Sequence, residues 1–230
     1  MNTYAILKSC KWFFVGVLFV LLLGGFLLLF NGKAGSFILL NTYHSPLVDI
    51  FFSCYTMVGD GIFALCIVAF YFLYFKKKKQ GFALLTAFLV SSLIAQLLKA
   101  SVNSPRPKLF FQEFQNIQYL HFIDGVTLYN SSSFPSGHTA TAFAMATVLA
   151  IIIKNKNWQM PLLLAAVLVG YSRIYLAQHF LLDTLVGAAI GAVSGIWAVY
   201  ITRHIKDFKR IRNKIKNIEP TDTLLVSTSN

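Results

Sequence analysis

Three short stretches of this 230-residue chain carry residues that could handle a phosphate. They are Lys99-x6-Arg106-Pro107, Pro135-Ser136-Gly137-His138, and Ser172-Arg173-x5-His179-x3-Asp183. Between them they supply three cations, two imidazoles, a carboxylate and a serine-glycine turn. That set suits gripping a phosphoryl dianion, attacking it with one nitrogen and protonating the leaving oxygen with another. Phosphoryl transfer depends mainly on positioning and charge stabilisation, so cations around the equatorial oxygens are the expected apparatus. Arg106 and Arg173 add a bidentate geometry that Lys99 lacks.

His179 and Asp183 are four residues apart, a spacing that shares a helix face. The carboxylate can accept from one ring nitrogen and leave the other free to attack, the orienting logic of hydrolytic triads. Pro135–His138 precedes an apolar run, and proline is favoured at a helix start. Glycine permits close backbone approach, and free N–H groups at a helix N-terminus attract an anion. His138 would stand beside that site, placed to protonate a leaving alkoxide. Singly, each piece reads as a cap, a solvated charge or a chance spacing; their order and shared membrane level favour a site.

The elements that must position these groups are membrane helices. Hydrophobic residues make up 57% of the chain and charged residues 12%, against a usual charged share of roughly 25%. Several apolar runs approach or reach the ~17–25 residues needed to cross a bilayer. The predicted fold is all-α: a six-transmembrane-helix bundle spanning roughly 13–30, 56–75, 82–98, 138–153, 158–174 and 180–202. Residues 31–55 read as short interfacial helices on the membrane surface. Residues 1–202 form the membrane domain, with its motif core at 99–183. Residues 203–230 read as a basic juxtamembrane helix and frayed tail.

The net charge of +12 would suit nucleic acid, but its distribution excludes that reading. Fifteen of the 20 lysines and arginines fall in segments on one side of the predicted bundle. Basic residues bias loops to the cytoplasmic side. Both termini are therefore expected inside, and the three motifs on the outer face. The first span has no small-residue cleavage site and is expected to be retained.

Cys10, Cys54 and Cys66 read as apolar packing residues rather than disulfide partners. Gly187, Gly191 and Gly195 recur every four residues in the last span, a pattern that allows close helix approach in lipid. The segment 103–134 is long and aromatic, and reads either as a membrane-resting lid or as a packed outer loop. Asp60, in Gly59-Asp60-Gly61, lies on the expected outer side, where it could approach the site or serve simply as a turn aspartate, the reading favoured here. His44, His121 and His204 have no motif context and read as surface or interfacial residues.

The three motifs together resemble the signatures of the type 2 phosphatidic acid phosphatase superfamily, KxxxxxxRP, PSGH and SRxxxxxHxxxD. The resemblance implies that His179 is the nucleophile forming a phosphohistidine, Asp183 its orienting partner and His138 the acid. It implies that Lys99, Arg106, Ser136, Gly137 and Arg173 hold the phosphate, and that neither metal nor cofactor is needed. The expected function is hydrolysis of lipid phosphate mono- or diphosphate esters at a bacterial inner membrane. Undecaprenyl pyrophosphate, phosphatidylglycerol phosphate, phosphatidate and lipid A phosphate are the candidate substrates. Two alternatives stand beside it: a phosphatase or phosphotransferase for small soluble esters, and a non-enzymatic lipid transporter or binding protein.

Overall fold

The computed structural model describes residues 8–114, 122, 123, 126–128, 130–153 and 155–216, the last twelve as backbone only. Eight α-helices follow one another among these residues. They are α1 (Lys11–Asn41), α2 (Pro46–Tyr55), α3 (Gly61–Leu73), α4 (Lys78–Ser101), α5 (Pro107–Phe114), α6 (Gly137–Ile152), α7 (Gln159–Tyr175) and α8 (Leu181–Lys216).

α6 is the centre of the bundle. Its sequence is apolar or small on every face, the pattern of a helix enclosed by protein. Its residues from Thr139 to Val148 are all buried. It packs against α4, α7 and α8. The closest seam is with α8, where the glycine row does what its spacing predicts. A Cβ at Gly187 would lie 2.6 Å from the Ser136 carbonyl oxygen, and one at Gly191 2.3 Å from that of Ala140. At Gly195 it would lie 2.7 Å from the Thr147 side chain. Only hydrogen fits there, so the two backbones meet directly.

The outer helices turn apolar faces away from the protein. Leu18, Phe19, Leu22, Phe26, Leu29 and Phe30 of α1 are exposed, a surface suited to lipid rather than water. α1, α4 and the part of α8 up to His204 are long and apolar enough to cross a bilayer. α2 and α3, bent by 55°, together make a fourth candidate. The expectation of six spans is thus met in part. α6 and α7 have 16 and 17 residues, about 24–26 Å of helix against a hydrocarbon core of ~30 Å. α6 is enclosed by other helices, so lipid thickness does not set its length.

Two other expectations change. Residues 33–41 do not merely rest on the membrane. α1 breaks at Gly32, whose φ of 64° is in the left-handed region, and continues helically to Asn41. Phe37 beyond the break is fully buried. The basic stretch after residue 202 is helical as far as Lys216, continuous with α8. Within 103–134, residues 107–114 are helical, and Phe111 is a core residue rather than part of a lid. The rest of the lid reading, the frayed tail and His121 lie largely or wholly outside the described residues. The three cysteines are unbridged, and Cys10 is buried against the Ala150 carbonyl oxygen.

Candidate active site

The site forms where the start of α6 meets the turn between α7 and α8. Ser136 caps α6: its Oγ accepts from the Thr139 N–H at 3.4 Å and from the Thr139 hydroxyl at 2.9 Å. Its own N–H donates to the Asp183 carbonyl oxygen at 2.9 Å, which clips the second motif to the third. Gly137 supplies the open side of this turn. A Cβ there would meet nothing nearer than the Lys99 ammonium nitrogen, 3.9 Å away. Lys99, in the last turn of α4, faces the first free turn of α6.

α7 ends in a tight reversal. Both Gln178 and His179 N–H groups donate to the Arg173 carbonyl oxygen, and Ala177 takes a left-handed φ of 53°. The chain then enters α8 at Leu181, so His179 precedes the helix instead of sharing its face with Asp183. Asp183 occupies the third helical position. Its Oδ2 accepts from the Phe180 N–H at 2.9 Å, as a capping-box carboxylate does. The same oxygen accepts from the Ser133 hydroxyl at 2.5 Å. His179 Nδ1 lies 3.6 Å from it, an ionic separation longer than a hydrogen bond.

His179 is buried, with 2% of its side chain exposed. Burial pushes its pKa down to about 4; Asp183 opposes the shift, and Arg173 and Arg106 add to it. At neutral pH the ring is uncharged, the form a nitrogen nucleophile requires.

The two arginines are held from behind. Arg106 Nε donates to the Ser131 carbonyl oxygen at 3.0 Å, and its Nη1 to Gln178 Oε1 at 2.8 Å. Gln178 is itself anchored to the Thr127 carbonyl oxygen at 2.9 Å. Arg173 Nη1 donates to the Thr56 hydroxyl at 2.6 Å. Both arginines are buried. Phe180, beside His179, is wedged among Phe37, Phe110 and Phe111, with ring centroids 5.3–6.4 Å from its own. Lys33 stands 4.2 Å above its ring. The aromatics expected in a lid thus fix the backbone next to His179.

All eight residues singled out from the motifs meet here. His138 lies within electrostatic reach of Lys99, Arg106, Arg173 and His179, and Lys99 within reach of Asp183. Among the described residues no group of three His, Cys, Asp or Glu side chains converges as a metal ligand set.

Ser133, Gln178 and Thr56, which hold Asp183, Arg106 and Arg173, are not among the residues the motifs specify, although Gln178 falls at a variable position of the third. Ser133 and Gln178 border motif residues, a weak signal; Thr56 gives none. Asp60, read as a turn aspartate, caps α3 through Oδ1, 2.7 Å from the Ile62 nitrogen. Its Oδ2 also lies 3.9 Å from His138 Nε2. His44 is half-buried. Its Nδ1 lies 3.2 Å from Asp49 Oδ1, which accepts from the Tyr175 hydroxyl, because α2 folds back over the end of α7.

The fold and site thus define a helical membrane bundle in which the three motifs meet at the helix ends. Residues 80–207 match the PAP2 superfamily, and the chain belongs to it, among its integral, multi-pass membrane lipid phosphatases. It is 33% identical over 174 residues to the lipid A 4'-phosphatase of Porphyromonas gingivalis, covering 72% of this chain and 71% of that one. The crystal structure of Aquifex aeolicus LpxE superposes with a TM-score of 0.64 at 32% identity, over 73% of this chain and 94% of that one. That of a PAP2-type phosphatidylglycerolphosphate phosphatase from Bacillus subtilis gives 0.56 at 22% identity, over 91% and 98%, a likeness of fold.

Proposed function

We propose that this protein removes a phosphate monoester from a lipid of the lipid A type on the outer face of the membrane, through a phosphohistidine. One observation carries this reading: the open side of Gly137 faces Lys99, within a cluster where two imidazoles and three cations meet. The phosphate sits in that gap, against the start of α6, with Lys99, Arg106 and Arg173 around its oxygens. Neutral His179 attacks phosphorus while Asp183 steadies the ring, and His138 gives its proton to the leaving sugar or glycerol oxygen. Water then attacks the phosphohistidine, with His138 taking its proton. The lipid A assignment is supported by the Porphyromonas relative's identity across most of both chains. Six crossings, with α6 and α7 among them, and cytoplasmic termini complete the reading.

A lipid reaches such a site by lateral diffusion, and its buried chain contributes on the order of 0.8 kcal/mol per CH2 to membrane retention. Phosphate release by the purified protein should therefore be compared across lipid A, phosphatidylglycerol phosphate, undecaprenyl pyrophosphate and glucose 6-phosphate. The expected result is a kcat/KM for lipid A at least ~100-fold, or about 2.7 kcal/mol, above that for the soluble ester. Comparable efficiency on glucose 6-phosphate would overturn the lipid reading, and a clear preference for another lipid would reassign the substrate.

A further inference from the structure

We infer that Asp60 is a second carboxylate of the active site, a positioning residue that holds a proton and an orientation on His138 as Asp183 steadies His179. The inference rests on the reading of His138 as the acid.

Asp60 divides its two oxygens between two tasks. Oδ1 accepts the Ile62 N–H and caps α3. Oδ2 stands 3.9 Å from His138 Nε2, too long for a hydrogen bond and short enough for an ionic attraction. The cap alone does not require a charge, because serine and asparagine cap helices as well as aspartate does.

The separation is fixed by the backbone. Gly59, one residue before, is pressed onto His138: a Cβ there would lie 2.9 Å from the His138 carbonyl oxygen and 3.0 Å from its Cβ. It would also lie 2.5 Å from Val169. The segment carrying Asp60 is therefore docked on the residue its carboxylate faces. Its direction is set again by the cap.

The charges around His138 explain why a carboxylate belongs there. From α4 comes Lys99, from the start of α5 Arg106, and from α7 Arg173. Asp183 is committed to Ser133, the Phe180 N–H and His179. Among the described groups facing His138, Asp60 is thus the anion that offsets the cations. The His138 and Asp60 side chains are 32% and 40% exposed, so the pair stands where a leaving group can depart.

In the first half-reaction the His179 nitrogen–phosphorus bond forms as the ester oxygen–phosphorus bond breaks. The proton passes from the His138 imidazolium to that oxygen, and Asp60 keeps its charge throughout. In the second half, His138 takes a proton from the attacking water, and Asp60 stabilises the imidazolium that results.

The test is Asp60→Asn, which removes the charge and keeps the cap, with Asp60→Glu as the conservative variant. On lipid A, kcat should fall about tenfold without a rise in KM, and on nitrophenyl phosphate, whose leaving group needs little protonation, it should change less than twofold. This ratio of the two substrates within one preparation is independent of how much protein is folded. The alkaline limb of the kcat profile should move about one unit to lower pH, because losing the anion lets His138 shed its proton earlier. Asp60→Glu should recover part of the loss, and in a His138→Ala background Asp60→Asn should cost nothing more. A wild-type pH profile in Asp60→Asn, or an equal loss with and without His138, would overturn the role of Asp60 alone. Loss in His138→Ala that ignores the leaving group would overturn the acid assignment, and this inference with it.

Discussion

The Ser133 hydroxyl donates to Asp183 Oδ2 at 2.5 Å, joining the residues just before α6 to the first turn of α8 across 50 positions of chain. With the Phe180 N–H on the same oxygen, the carboxylate beside His179 is held from two directions. Its place is therefore set before any substrate binds.

Ser133→Ala should leave KM nearly unchanged and lower kcat by about tenfold. It removes one of the two donors fixing Asp183, the residue proposed to steady the His179 ring. Losing one of two hydrogen bonds to a buried carboxylate should cost about 1.5–3 kcal/mol of stability. Steady-state kinetics with thermal unfolding in detergent checks both numbers, and an unchanged kcat would show that the Phe180 N–H suffices.

The nucleophile and the acid separate by substrate. His179→Ala should abolish hydrolysis of every ester, since no second nitrogen occupies its place. His138→Ala should lose far more activity on lipid A than on nitrophenyl phosphate. Equal and complete loss in both variants on both substrates would contradict the division of roles.

The pH dependence follows from the His179 pKa of about 4. Attack needs the neutral ring, so that group should keep its activity well below pH 6.5 and lose it as pH falls through about 4. For stability the sign is the same. A buried histidine with a depressed pKa binds its proton more readily unfolded, so the folded state weakens as pH falls from about 6.5 towards 4. Comparing the acid limb for lipid A with that for a substrate whose phosphate titrates lower isolates the enzyme's group. A midpoint near 6.5 on both would contradict the buried, neutral nucleophile.

The glycine seam gives a stability test. Gly191→Ala places a methyl 2.3 Å from the Ala140 carbonyl oxygen, where backbone must shift. It should cost about 1–3 kcal/mol and lower activity as well, since this seam holds α8 against α6. Gly25→Ala is the control: nothing lies within 4 Å of that Cβ, and alanine's helix propensity should make it neutral or slightly stabilising. Similar melting of the two variants would count against the seam as the organiser of the site.

Topology can be read with single cysteines in a cysteine-free background. An impermeant thiol reagent should label a probe at position 117 from outside and miss one at position 225. The reverse pattern would put the site on the cytoplasmic face.

Much of this protein is legible along the chain. The three motifs name the eight residues that meet at the site, because chemistry fixes residue type and a helix or turn fixes short spacing. The glycine row announces a close seam, because four-residue periodicity is the geometry of one helix face. What tertiary structure alone decided lies between elements. His179 and Asp183 pair across a helix start rather than along a helix, since the turn at Ala177 ends α7 and delays α8 until Leu181. Thr56, Ser133 and Gln178 hold the ions only because packing brings distant backbone beside them. Asp60 looks like any capping aspartate in sequence. Its second oxygen faces His138 because Gly59 lets two chain segments touch, a distance no local pattern encodes.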